Sequence, residues 1–559
     1  MLAGRIFLAI IRAVFTTSVC PPYQYGHHNR FSRITATHRL AGCYLLVVVL
    51  LCASMACGGA ESNNSGSTSA GDTNSGAGTP STGSPTAASS TASNASVQVD
   101  FGNRAQGQIR LPASILSVNR GVFGTHELQA LQIIHRNGVA MVRLDATLSS
   151  IYETPTANWT KLDAALSHIQ AVNLAALVIL DYTPKWLQSP LNLCASREAP
   201  AFGAFPANFT IWGTVAASIV HHIDVNFPGL VYGYEIWNEP DSPYFNCNTS
   251  SNTTSSRMNA YFQLYGVVAP ILRAQANADG VTVRIGGPVV ATPADAILFL
   301  PQFVNNPVLA PYIDFVSYHD YISGATWDGQ GQNLLNATTD AGQGVGANYA
   351  AIAAIVQHGL QPNAQQTPIL ITEYNIMDGC CRISPQFSPL FNSVFVATLL
   401  NAAYTVGEVP AHINYYSANT PDGYCLLATS DTSCAYDNGP FRILPPLYTF
   451  NLIGSPDYLD MNNGGFLAAV SSNTPSLVAT AFYTQRSDSV VIINAGASPI
   501  ATTISIANTS LSAANATLFE LNAQYPTISS QALPLSETND SYTASVTAPP
   551  YTVLGISIR

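Results

Sequence analysis

Charge is what this chain has least of. Only 9% of its 559 residues are Asp, Glu, Lys or Arg, against roughly 25% in an average globular domain, so Ser, Thr, Asn, Gln and Tyr must supply much of the polar surface. Lysine occurs at Lys161 and Lys185 alone, and 20 Lys and Arg against 31 Asp and Glu leave a formal net charge of -11. A groove that tracks phosphates has little to be built from, which excludes nucleic acid as a partner. The sequence also lacks a CxxC pair, an HExxH segment and any internal repeat, so neither a metal nor an organic cofactor is expected.

What is present begins with an apolar run. Ala41 to Ala60 carries no charge, includes Leu45 to Leu51, and follows Arg30, Arg33 and Arg39, the layout of an export signal. Ala56-Cys57-Gly58-Gly59 resembles the lipidation site of bacterial lipoproteins, with Ser54 where those carry Leu, and the resemblance implies a lipid on Cys57. An uncleaved membrane anchor is the alternative, because about 20 uncharged residues just span a bilayer. Either reading puts the remainder outside the membrane, extracellular or at the cell surface. From Ser62 to Ser96 nearly every residue is Ser, Gly, Thr, Ala or Asn, too little apolar surface to offset the entropy of ordering the segment. The expected organisation is a leader over 1–57, a flexible tether over 58–97, a main domain over 98–455 and an accessory domain over 456–559.

Six cysteines follow the tether: Cys194, Cys247, Cys380, Cys381, Cys425 and Cys434. An even number suits disulfides in an exported protein. Cys194 with Cys247 and Cys425 with Cys434 are candidate pairs, and Cys380 and Cys381 stay unassigned.

Beyond the tether, short apolar runs alternate with helical segments, the pattern of a parallel sheet. Eight runs qualify as strands: Ser114 to Asn119, Val139 to Asp145, Ala175 to Asp181, Val231 to Trp237, Val283 to Pro288, Phe315 to His319, Ile369 to Glu373 and Ile413 to Ser417. Eight is the number that closes an α/β (β/α)8 TIM barrel. From about Ser455 short alternating segments take over, such as Ser489 to Asn494 and Thr552 to Ile558, which read as a C-terminal β-sandwich. Lacking aromatic clusters, it reads as a structural partner of the barrel more than as a binding module, and the segment Val97 to Leu111 is a candidate for one of its strands.

Two segments carry chemistry. GYEIWNEPD, Gly233 to Asp241, runs an apolar strand into Asn238-Glu239-Pro240, and PILITEYN, Pro368 to Asn375, delivers Glu373 at the end of another strand. Catalytic residues of barrels sit at the carboxyl ends of strands. Cleaving a glycosidic bond takes two carboxyl groups, about 5–5.5 Å apart if configuration is retained. Either glutamate alone is as well explained by a solvated loop; the pair at strands four and seven is not.

These residues resemble the clan of retaining glycosidases on (β/α)8 barrels, over about residues 110 to 455. EIWNEPD, ITEYN and FVSYHDY are most similar to glycoside hydrolase family 39. The resemblance implies Glu239 as acid/base, Glu373 as nucleophile, Asn238 as a ligand of the sugar 2-hydroxyl, Arg143 as support for the nucleophile and part of the substrate site, and His319 and Tyr321 as lining of the same subsite. It further implies polysaccharide or oligosaccharide as substrate, with β-linkages cleaved. Trp186 and Trp327 are the expected sugar platforms, with Trp237, Tyr244 and Tyr374 weaker candidates. Much of the clan has a tryptophan ending strand eight, where this chain has Tyr415 and Tyr416. Asp181 and Asp320 are expected to be strand-end hydrogen-bonders. A transglycosidase using the same carboxylates, or a silent carbohydrate-binding surface protein, are the alternatives.

Overall fold

Alternation of small and branched apolar residues over Ala175–Asp181 and its neighbours makes strands that are buried on both faces. In the computed structural model eight of them close into a parallel barrel: Leu116–Asn119, Met141–Thr147, Ala175–Asp181, Val231–Ile236, Ile285–Val290, Phe315–Ile322, Ile369–Ile376 and His412–Tyr415, the last pairing with the first. All eight expected strands are present, shifted by a few residues at their ends. The structure describes residues 95–102, 109–121, 124–189, 204–242, 253–322, 331–360, 366–376, 387–419, 425–428, 441–509, 515–522, 527–538 and 541–559. The leader, Cys57 and most of the tether therefore lie outside the described residues, as do Trp327, Tyr244 and both candidate cysteine pairs apart from Cys425.

Strand alternation sorts the side chains. Val142, Leu144, Val178 and Leu180 face the surrounding helices, whereas Met141, Leu177, Phe315 and Leu370 meet inside the barrel near its amino-terminal end. Phe315 needs room there: a Cβ on Gly286 would lie 2.3 Å from its ring, so only glycine fits. Above this apolar layer the inward positions turn polar, with Arg143 and Asp145 on strand two, Asp181 on strand three and Glu235 on strand four.

Helices Glu127–Arg136, Thr160–Ala171, Phe209–Asn226 and Thr254–Asp279 cover the strands. The first stops at Asn137-Gly138, where Gly138 adopts φ +87° and a Cβ would strike the Phe450 carbonyl. Phe387–Val406 packs on barrel helices and on sandwich strands. It contains the one helical stretch among the described residues long and apolar enough to cross a membrane, and its cover on two sides accounts for that composition.

The accessory domain is one eleven-stranded sheet curled into a sandwich. Strand Gly465–Ser472 makes the bend: its first half pairs with Leu477–Tyr483 and its second with Ala95–Asp100. Val97, Val99, Ile504 and Ile506 then pack on Val490, Ile492 and Ile556. The boundary expected at residue 98 is thereby corrected. Ala95–Asp100 lies in the sandwich, parallel to Ile500–Ala507, because its alternating valines have a buried face only there. Barrel and sandwich belong to one compact unit, Ser89–Arg559.

Candidate active site

The barrel's polar inner layer is organised by Arg143. Its Nε donates to Glu235 Oε2 at 2.6 Å, Nη1 to Glu373 Oε1 at 2.6 Å and to Asn119 Oδ1 at 3.1 Å, and Nη2 to Asn238 Oδ1 at 2.9 Å. Only 1% exposed, the guanidinium has no face for a substrate. The expected place of Arg143 among substrate ligands is corrected to a support, because strand alternation puts it one layer beneath the mouth. Burial works against its charge, but the carboxylates of Glu235 and Glu373 outweigh that and raise it further above the ordinary range.

Glu373 faces inward only because of a β-bulge. Leu370 points into the barrel and Ile371 out, so strict alternation would send Glu373 outward. The pairing slips by one residue between Tyr318↔Ile371 and His319↔Glu373, which turns Glu373 in and Tyr374 out, where it stacks on Phe395 at 4.2 Å. Bulges re-aim side chains next to active sites. Tyr374 is thus packing, not a sugar platform. So is Trp237, fully buried against Phe205 and Trp212.

Glu239 sits just past strand four in backbone that L-residues rarely adopt. Trp237 has φ +72°, Glu239 φ +44° and Val289 φ +56°; such strain persists where surrounding structure imposes it and clusters at functional sites. Here the Glu239 amide donates to the Val289 carbonyl at 3.0 Å, and Asp241 anchors the turn by accepting from the Ala291 amide at 3.0 Å. Arg257 Nε donates to the Asp241 carbonyl at 2.7 Å.

His319 stands between the two glutamates, its Nδ1 2.9 Å from Glu239 Oε1 and 3.5 Å from Glu373 Oε2. A carboxylate oxygen of each glutamate and a ring nitrogen of His319 all lie within 4.8 Å of one another. The Tyr321 hydroxyl donates to Glu373 Oε2 at 2.6 Å. These three groups are the one cluster of metal-ligating type among the described residues. With Arg143 already against Glu373, a cation would meet an existing positive charge there, so the donor set favours proton chemistry.

Electrostatics separate the two carboxyls. The Glu239 side chain keeps 23% of its surface exposed, yet it lies deep among protein atoms, and burial pushes it up to about 7 against the pull of Arg143. Burial also raises Glu373, but His319, the Arg143 guanidinium and the Tyr321 hydroxyl act against that rise. Two direct donors to the charged form distinguish Glu373 from Glu239. Burial lowers His319 to about 4, so its imidazole is neutral near pH 7.

Four inward residues escaped the sequence reading. Asn119 and Glu235 hold Arg143. Asp145 is exposed on the inner face of strand two, in step with Arg143. Tyr182, with φ +59°, has its carbonyl held by the Trp212 indole at 3.2 Å and its ring edge-on to Trp237. Burial and the charges of Asp181, Asp145, Glu239 and Glu373 push its hydroxyl well above the ordinary range. The i, i+2 spacing of Arg143 with Asp145 was the available signal for one of them. Trp186 is 39% exposed, its indole donating to the Tyr152 carbonyl at 3.0 Å. The expectation for Asp320 is overturned: it is buried with neither carboxylate oxygen hydrogen-bonded among the described residues, whereas Asp181, equally buried, has the Thr147 hydroxyl against its carboxyl.

A (β/α)8 barrel with two glutamates converging from strands four and seven defines a glycoside hydrolase. Residues 137–442 match glycosyl hydrolases family 39, and the chain belongs to that family. No curated protein matches it in sequence. Among solved structures it is similar to a monomeric β-xylosidase from Caulobacter crescentus (TM-score 0.59, 15% identity, 83% of this chain and 99% of that one). A family 39 enzyme from Xanthomonas axonopodis pv. citri (TM-score 0.57, 15% identity, 83% and 97%) and a family 30 endoxylanase from Clostridium papyrosolvens (TM-score 0.56, 13% identity, 83% and 100%) share the fold.

Proposed function

We propose that this family 39 glycosidase cleaves β-linked poly- or oligosaccharide by double displacement, with Glu239 as acid/base and Glu373 as nucleophile. The observation that carries the assignment is the pair of carboxyls, an oxygen of each within 4.8 Å of the other, which agrees with the close spacing of a retaining pair. Glu373, supported by Arg143 and Tyr321, attacks the anomeric carbon while Glu239 gives its proton to the departing oxygen, forming a glycosyl ester and freeing the leaving group. Glu239, now a carboxylate, deprotonates water, which attacks the same carbon and releases Glu373. Loss of the Glu373 charge in the ester lowers the cost of ionising Glu239, so one group serves both steps.

Asn238 is oriented for the sugar 2-hydroxyl, since Arg143 takes its Oδ1 and leaves the amide nitrogen to donate. Trp186 offers an exposed ring at the rim, and Trp327 is a second platform on sequence grounds. Tyr416, 6.3 Å from the Tyr321 ring, stands where much of the clan has tryptophan. The leader pattern and Cys57 support a secreted or lipid-anchored enzyme, and the even cysteine count supports disulfides.

The test is a screen of the protein and its Glu373→Gln variant against aryl β-glycosides and plant and bacterial polysaccharides. Product from the parent and none from the variant is expected, with Glu239→Ala regaining part of its rate from azide. Binding without cleavage by the parent on every substrate would overturn the reading.

A further inference from the structure

One groove of the described surface lies away from the mouth. It measures about 680 Å3 and is lined by Arg110, Asn463, Phe466, Tyr483, Gln485 and Arg486 among others. Its place in the fold follows from Asn462, whose side chain accepts from the Leu116 amide at 3.0 Å and whose carbonyl accepts from Ser114. Leu116 begins the first barrel strand, so the groove lies on the sandwich beside the barrel's amino-terminal end, opposite the catalytic glutamates.

Register arranges its wall. Phe466 pairs with Arg110 on one side and with Tyr483 on the other, and directly opposed residues share a face of the sheet. Arg110, half-buried Phe466 and Tyr483 thus form a row, the two rings stacked at 5.4 Å. Arg486 enters from the turn that follows Tyr483. Both arginine side chains are exposed, and neither makes a hydrogen bond or ion pair within 4.0 Å among the described residues. The carboxyl facing Arg486 is that of buried Asp460, which it shares with Arg559 and which burial holds above its ordinary value. In a chain with 20 Lys and Arg and a net charge of -11, two exposed guanidiniums flanking a ring, against the one carboxyl of Asp460 in the lining, leave this groove with a local excess of positive charge. Guanidinium forks match carboxylates bidentately, and aromatic faces with amide side chains suit sugar rings.

We propose that this groove binds a uronate-bearing stretch of glycan, with Arg110 and Arg486 holding carboxylates and Phe466 supporting a sugar ring. A polymer with neutral and acidic residues would then be held by its acidic part on the sandwich, away from the mouth. The choice of glycan over another polyanion rests on the family assignment; the groove itself does not depend on the roles of Glu239 and Glu373.

The experiment measures binding of polygalacturonate and of neutral xylan to the full chain carrying Glu373→Gln, with and without Arg110→Gln and Arg486→Gln, at about 0.15 M salt. The double arginine change is expected to weaken polygalacturonate at least tenfold and leave neutral xylan unaffected. With Glu373 intact, it should leave aryl glycoside turnover unchanged. Lysine at both positions should restore part of the binding, which separates lost charge from lost folding. Unchanged polygalacturonate affinity in the glutamine variant, no binding by the parent, or displacement by equimolar inorganic phosphate would overturn the proposal. Absence of any glycosidase activity would overturn the catalytic reading and leave the binding result standing.

Discussion

Arg143 Nη1 lies 2.6 Å from Glu373 Oε1, and the same guanidinium holds Glu235 through Nε at 2.6 Å. One cation thus compensates two carboxylates inside the barrel. Removing it by Arg143→Ala should destabilise the fold by about 3–5 kcal/mol, the usual cost of leaving a buried charge unpaired. Arg143→Lys should fold but lose the planar fork, with kcat down about 100- to 1000-fold, the scale of losing one charge-stabilising donor. Wild-type kcat in the lysine variant would contradict this role; steady-state kinetics and urea melts decide it.

Tyr321 gives Glu373 its other direct donor. Tyr321→Phe keeps the ring and deletes a hydrogen bond to a charged group, worth about 1.5–3 kcal/mol. The expected result is kcat lowered about 10- to 100-fold with KM nearly constant. A change confined to KM would make Tyr321 a substrate ligand instead.

The pH profile should be a bell. Glu239 must be protonated for the first step and is pushed up to about 7, so kcat/KM falls as pH rises through about 7. Glu373 must be ionised and burial raises it, so the acidic limb lies above the ordinary carboxylate range. With a substrate whose leaving group needs no proton, Glu239→Gln should abolish the basic limb. Persistence of that limb would assign it to another group.

Asp320 is buried outside the catalytic pair, and burial pushes its carboxyl up to about 8 from an ordinary 3.8. A group that holds its proton more tightly when folded contributes stability that is complete below its unfolded value and lost as pH rises toward its folded one. The Tm of the parent should therefore drop relative to Asp320→Asn between about pH 4 and 8, with the variant the more stable at the upper end. Parallel Tm curves would show that Asp320 does not titrate in that window.

Much of the barrel was legible because its strands are buried on both faces and read as apolar runs. Glu239 and Glu373 were legible as carboxylates ending two such runs. Glu235 was not, although it lies in the same segment as Glu239, since a charge in mid-strand has no meaning until its partner is known. Strand Ala95–Asp100 was hard to allot for a similar reason: Ser96 bonds Asn473, 377 residues away. Trp237 and Tyr374 looked like sugar platforms at strand ends, and a bulge and a left-handed turn put them into packing instead.

The sequence by itself determined the apolar periodicity that makes eight parallel strands, the two glutamates at their ends and the shortage of cations that tells against nucleic acid as a partner. Tertiary structure alone decided that two chemically identical side chains differ. Glu373 receives Arg143 from 230 residues away and Tyr321 from the neighbouring strand, while Glu239 receives neither directly. A carboxyl's proton affinity is set by burial and by the charges and donors within a few ångströms, and those neighbours exist only once the barrel has closed.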